Sequence, residues 1–442
     1  MEASRAPVGY RDARGRRILP DPQGPRAGRV GREDPGGRAD RLRKAGRPGA
    51  LAVGRLQHAR AEAGRSRRAR RDRGQPRGPI VRGAVAQALR RVAIGPGDAL
   101  AVGFDGTRIP DDLGVLAEQS GLGGVVLFAR NCPSLEAVLS LTAAARGLGP
   151  DVLVMVDHEG GRVHRLPPPF TRFPPAASIG RSGGPRLAAA VAKAMARELR
   201  AGGFDSGLAP VLDCLLDPAN TVIGDRAFGT TAAPVAACGV SFVEAMLSEG
   251  VAPVAKHFPG HGRTSIDSHL ALPDVGAALD DLERVDLVPF RAVLDAGCPA
   301  VLIAHVRCRA LDPELPASLS AEVIGGLLRR RLGFTGLVLS DDLEMAAVAG
   351  SWGIVDAARR FLGAGGDLAL VCRSREAHRE AVTAIGRDID RGALDLGQAV
   401  RRRQAVRRLI DAVGARPDVS VIGCPEHRAL AEEVARRSAA GG

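Results

Sequence analysis

The 442-residue sequence predicts an α/β chain folded as a single (β/α)8 TIM-type barrel behind a disordered, basic N-terminal extension. Two observations carry that expectation. Eight short apolar runs alternate with amphipathic stretches of helical length over about 300 residues, which is the size and rhythm of such a barrel. Polar residues able to do chemistry then follow run after run. In a barrel they gather at the carboxyl ends of many strands, whereas the competing doubly wound open sheet concentrates them near one crevice.

The extension comes first, over residues 1–92. Residues 1–91 hold 25 Lys and Arg against 8 Asp and Glu, a surplus larger than the overall +13, so the remainder is mildly acidic. The segment is rich in Arg, Gly, Pro and Ala and has no sustained apolar period, so it cannot bury enough surface to offset its ordering entropy. A basic arm for nucleic acid is one reading. A solvated tail, or residues added by a start site placed too far upstream, is the expected one, and nucleic acid is not an expected partner.

The apolar runs are 99–104, 124–128, 152–156, 207–212, 251–257, 300–306, 336–340 and 367–372. Each is short and continuous, as a parallel strand buried on both faces should be. Helices are expected between them, for example over 185–201, 233–249, 279–296, 321–332 and 354–362, several closed by Gly. The barrel is placed at 93–415 and a C-terminal helical tail at 416–442, with Arg-rich 401–408 as a solvated face. Seven scattered cysteines without a C-x-x-C pair point to free thiols in a reducing compartment. With no apolar run of about 18 residues and no apolar stretch behind the early Arg16-Arg17 pair, a cytoplasmic monomer that crosses no membrane is expected.

The densest chemistry is Lys256-His257-Phe258-Pro259-Gly260-His261-Gly262-Arg263-Thr264-Ser265-Ile266-Asp267-Ser268-His269, a loop leaving the fifth run. His257, His261 and His269 lack the fixed spacing of a helical zinc site and Lys256 would repel a cation, so neither metal nor cofactor is expected. Asp267, two residues from His269, can orient that imidazole as a proton shuttle near neutral pH. Ser340-Asp341-Asp342 ends the seventh run, where an Asp projects into the barrel mouth as a nucleophile or caps a helix starting at Leu343. Asp157-His158-Glu159-Gly160-Gly161-Arg162-Val163-His164-Arg165 follows the third run, and its carboxylates and guanidinium groups suit hydroxyl-rich ligands. Asn220 to Arg226 adds a further Arg after the fourth run.

These motifs, together with Val102-Gly103-Phe104, Gly124-Val125-Val126-Leu127-Phe128 and Pro425-Glu426-His427-Arg428-Ala429-Leu430-Ala431, resemble the glycoside hydrolase family 3 β-N-acetylhexosaminidases, bacterial enzymes of peptidoglycan recycling. The resemblance implies Asp341 as nucleophile, His269 as general acid/base and Asp267 as its orienting partner. It implies that Asp157, Arg165, Arg226, Lys256 and His257 hold the N-acetylglucosamine unit of a saccharide. His158 departs from the family pattern, where Gln is usual, and is expected to alter a sugar contact. A β-glucosidase of the same family would draw its acid/base Glu from a second large domain, for which this chain has no room. A phosphorylase remains open, because a histidine acid/base does not repel phosphate as a carboxylate does.

Overall fold

The computed structural model describes residues 94–264, Ser268 and 271–440. The expected extension at 1–92, and with it Asp267 and His269, lie outside the described residues. Eight parallel strands close into one barrel: β1 (Leu100–Val102), β2 (Gly124–Leu127), β3 (Leu153–Val156), β4 (Ser206–Gly207), β5 (Ala252–Phe258), β6 (Ala300–Ile303), β7 (Leu337–Asp342) and β8 (Leu368–Val371). Each pairs with its neighbour in sequence, and β8 returns to β1 with Ala369 opposite Leu100 and Val371 opposite Val102.

The apolar runs are continuous because both faces of each strand are buried. Alternate residues such as Ala101, Val126, Met155, Val254, Leu302 and Leu339 fill the barrel interior. Their neighbours Leu100, Val102, Val125, Val154, Val301 and Val338 pack outward on the helices. Each fully buried Leu, Val or Met contributes about 1.5–3 kcal/mol through removal from water, so the alternation fixes which way every side chain at a strand end points.

The fourth strand is shorter than the apolar run 207–212. Pro210 has no N–H for the ladder, and beyond Gly207 the pairing with β5 turns irregular, with the Val254 N–H donating to the Ala209 carbonyl at 2.8 Å before an isolated bridge joins Val211 to Lys256. The helix expected from Pro185 is the second half of Ala176–Ala201, which breaks at Gly184 (φ 54°, ψ −137°), a conformation that favours glycine. The stretch 279–296 forms helical turns from Leu279 to Asp295 with a π segment at Leu282–Asp286, and 321–332 is a π-helix over Glu322–Arg331.

The arginine-rich helix Gly397–Asp411 corrects the expectation of a solvated face. It lies across the amino-terminal mouth, where Val406 and Ile410 join the interior cluster. Arg402 reaches Asp367 at 2.7 Å, Arg403 reaches Asp98 at 2.6 Å and Arg407 grips Asp205 through two contacts of 2.9 Å, while Arg401 and Arg408 are exposed. Asp98, Asp205 and Asp367 sit buried just before β1, β4 and β8. A buried carboxylate needs a charge-assisted partner, and the guanidinium fork supplies it. Glu198 accepts bonds from Thr171, the Gly423 N–H and His427, which ties the last helix, Pro425–Ala440, to Ala176–Ala201. No helix among the described residues is long and apolar enough to cross a membrane.

Candidate active site

Strand β5 delivers two consecutive polar residues to the same place. In a regular strand Lys256 and His257 would point to opposite faces, but the register against β6 shifts between Ala255 and Phe258, and both line one cavity at the carboxyl mouth. That cavity holds about 510 Å³. Lys256 Nζ lies 2.6 Å from Asp157 Oδ1 and 2.6 Å from Glu159 Oε1, with its side chain 3 % exposed. Arg226 forks onto Glu159 at 2.7 and 2.8 Å, and Arg165 meets the other oxygen of Asp157 at 3.2 Å.

Burial pushes Lys256 toward its neutral form, but the facing Asp157 and Glu159 outweigh it and raise its pKa. Burial likewise disfavours the Glu159 anion, and Arg226 and Lys256 hold it well below the usual carboxylate range. The network continues inward. Arg226 Nη2 lies 3.2 Å from His257 Nε2, and a guanidinium cannot accept, so Nε2 is the acceptor and Nδ1–H donates to Asp213 Oδ2 at 2.6 Å. The second oxygen of Asp213 accepts the His261 N–H at 2.6 Å, and against its burial these partners keep Asp213 ionised.

Strand β7 carries Asp341 into the same cavity, where Oδ1 accepts the N–H of Asp342 at 2.9 Å. Burial opposes its charge. The nearby His305 and His257, the Asp342 N–H and Lys256 outweigh burial and lower its pKa, leaving an ionised carboxylate in the barrel mouth. His305, fully buried after β6, pairs with Ser318 Oγ through Nδ1 (2.7 Å) and donates from Nε2 to the Asp342 carbonyl (3.0 Å). Asp342 behaves differently: burial, then the charges of Glu344 and Asp341, raise it to about 6. The helix after β7 starts at Ala346 with Met345 at its cap, so neither Asp caps it. Asp342 Oδ1 instead closes a turn by accepting the Glu344 N–H at 3.1 Å.

The structure thus brings Asp157, Arg165, Arg226, Lys256, His257 and Asp341 to one cavity. Glu159 and Asp213 tie these residues together, yet neither was among the residues singled out from the sequence to hold the sugar. Their signal was position alone, since Asp213 directly follows the fourth run and Glu159 stands two residues beyond Asp157 at the end of the third. His158 is buried and lies outside the cavity lining. Its Nδ1 accepts the Arg165 N–H at 3.3 Å while its ring packs 4.6 Å from His164, so it supports Arg165 from behind. The rings of His257 and His261 are engaged by Asp213, Arg226, Thr264 and Ser268. No group of three or more His, Cys, Asp or Glu arranged to hold a metal occurs among the described residues.

An ionised aspartate in a barrel mouth, ringed by donors and acceptors that match hydroxyl groups, is an arrangement suited to glycoside hydrolysis. The sequence profile of the glycosyl hydrolase family 3 N terminal domain matches residues 99–411, and the chain belongs to that family. It is similar to the beta-hexosaminidase of Methylococcus capsulatus, 40% identical over 283 residues that span 63% of this chain and 84% of the relative. The beta-hexosaminidase of Alkalilimnicola ehrlichii is 42% identical over 299 residues, 66% of this chain and 84% of the relative. Among solved structures, a family 3 beta-N-acetylglucosaminidase from Paenibacillus sp. FPU-7 superposes with a TM-score of 0.74 at 36% identity, covering 78% of this chain and 68% of that one. NagZ from Neisseria gonorrhoeae, in complex with N-trifluoroacetyl-D-glucosamine, superposes with a TM-score of 0.65 at 30% identity over 78% of this chain and 99% of its own.

Proposed function

We propose that the chain is a retaining exo-β-N-acetylglucosaminidase that removes terminal β-linked N-acetylglucosamine from peptidoglycan fragments, in the cytoplasm, through a covalent glycosyl-enzyme. The observation that carries the reading is the ionised Asp341 in one cavity with the Asp157, Lys256, Glu159 and Arg226 network. The relatives' names support the N-acetylglucosamine specificity, and the free state of all seven cysteines supports a reducing compartment.

In this reading Asp157, Arg165, Arg226, Lys256 and His257 hold the sugar hydroxyls and acetamido group. Asp341 attacks the anomeric carbon as His269, oriented by Asp267, protonates the departing oxygen. Water, deprotonated by the same histidine, then releases the sugar from Asp341 with net retention. The test compares nitrophenol release from the aryl β-N-acetylglucosaminide and the aryl β-glucoside by wild type, Asp341→Ala and His269→Ala. Turnover of the N-acetyl substrate alone, nearly abolished in Asp341→Ala, is expected; folded wild type that turns over neither substrate sinks the reading.

A further inference from the structure

The cavity has a wall that the polar network does not use. Its described lining includes one aromatic residue of the Phe, Tyr or Trp type, Phe128, at the carboxyl end of β2 and half-buried. The guanidinium of Arg130 lies over this ring, 4.4 Å from the centroid. Arg130 is itself committed: Nε donates to the Phe104 carbonyl at 3.0 Å and pairs with Asp105 at 2.9 Å, and Nη2 donates to the Cys372 carbonyl at 2.5 Å. The turn below is equally fixed. The Phe128 N–H donates to Asn131 Oδ1 at 2.9 Å, and Asn131 Nδ2 donates to the carbonyls of Phe104 and Gly106 at 2.9 and 2.7 Å.

A ring clamped on one face by a cation and anchored at its backbone to the end of β1 is a preset apolar surface. A hexosamine presents hydroxyls around its rim and an apolar C–H patch on its face. The rim suits the charged network of β3 to β5, and the face suits an aromatic partner, whose negative ring face attracts polarised C–H groups. We infer that Phe128, propped by Arg130, is the stacking surface for the apolar face of the bound saccharide and a determinant of affinity for it, an inference that rests on the proposed saccharide specificity. Phe128 touches the substrate, whereas Arg130 is a positioning residue that acts through the ring.

The test measures kcat and KM on the aryl β-N-acetylglucosaminide for wild type, Phe128→Leu and Phe128→Trp, with thermal midpoints as the folding control. Phe128→Leu keeps apolar volume but loses the ring face, so kcat/KM should fall about tenfold, chiefly through KM, and Phe128→Trp should restore most of it. Folded Phe128→Leu with kcat/KM equal to wild type overturns the inference and leaves the proposed function standing. Inactive wild type sinks the proposed function and this inference with it. If Phe128→Leu fails to fold, ring-13C phenylalanine spectra of wild type decide, with the Phe128 resonance assigned by Phe128→Tyr. A shift of that resonance on adding N-acetylglucosamine supports the stack, and an unmoved resonance overturns it.

Discussion

Replacing Glu159 by Gln tests whether the charge network, rather than any one of its members, builds the sugar-binding wall. Glu159 is 7 % exposed and bridges two cations, Lys256 at 2.6 Å and Arg226 at 2.7 and 2.8 Å. Glutamine keeps one acceptor oxygen but removes the charge, leaving Arg226 without its directly bonded carboxylate while Lys256 keeps Asp157. Stripping one partner from a buried ion pair costs about 3–5 kcal/mol, and the retained acceptor and Asp157 place this case at the low end, about 3 kcal/mol. In a barrel of this size that lowers the thermal midpoint by about 4 °C. The pKa of Glu159 is depressed in the folded protein, so its stabilisation is complete above the ordinary glutamate value and is lost as pH falls through the depressed one. The midpoint difference should therefore stay constant from pH 6 to 8 and shrink only in strong acid. KM for the aryl β-N-acetylglucosaminide should rise about tenfold as both cations lose their common anchor. Differential scanning calorimetry across pH, paired with steady-state kinetics, checks both effects. A variant with wild-type midpoint and KM refutes the network argument.

Three further predictions separate positioning, titration and scaffold. His158→Leu removes the acceptor for the Arg165 N–H and should raise KM severalfold; because burial first, then His164 and Arg165, hold His158 down to about 3, the effect should be the same at pH 5.5 and pH 8 in steady-state assays. Asp342→Asn removes a carboxyl that burial raises to about 6, so wild type carries a folding penalty that is absent in acid and complete above about pH 6; the variant should gain about 2–3 kcal/mol in urea titrations at pH 7.5 and little at pH 4. Asp205→Ala strips the partner of Arg407 and Arg416 at the amino-terminal mouth and should cost about 3–5 kcal/mol in denaturant titrations while leaving kcat at 25 °C near wild type, since stability sits at that face and chemistry at the other.

The barrel was legible because its signal is local: each strand is a short apolar run buried on both sides, and all eight runs became barrel strands. Strand β4 was the exception in length, where Pro210 cut the ladder that the hydrophobicity of 207–212 implied. The site was partly legible. Lys256, His257 and Asp341 stand at strand ends in an unusual loop and turn, and the resemblance drew in Asp157, Arg165 and Arg226. Glu159 and Asp213 escaped because what marks them is a contact between strands far apart in sequence, which no spacing reveals. The arginines of Gly397–Asp411 misled for the same reason. A charged helix face reads as solvated until buried Asp98, Asp205 and Asp367 are found beneath it. Asp267 and His269 were read from sequence and lie outside the described residues.

The most direct test of the account is to trap the glycosyl-enzyme. Wild type is mixed with a fluorinated N-acetylglucosaminide bearing a good leaving group, so that the intermediate forms faster than it is hydrolysed, and the protein is digested and mapped by mass spectrometry. The account predicts one glycosyl adduct, on the peptide containing Asp341, absent from Asp341→Ala. Active enzyme that gives no adduct and releases the inverted anomer, or an adduct mapped to another carboxylate, contradicts it.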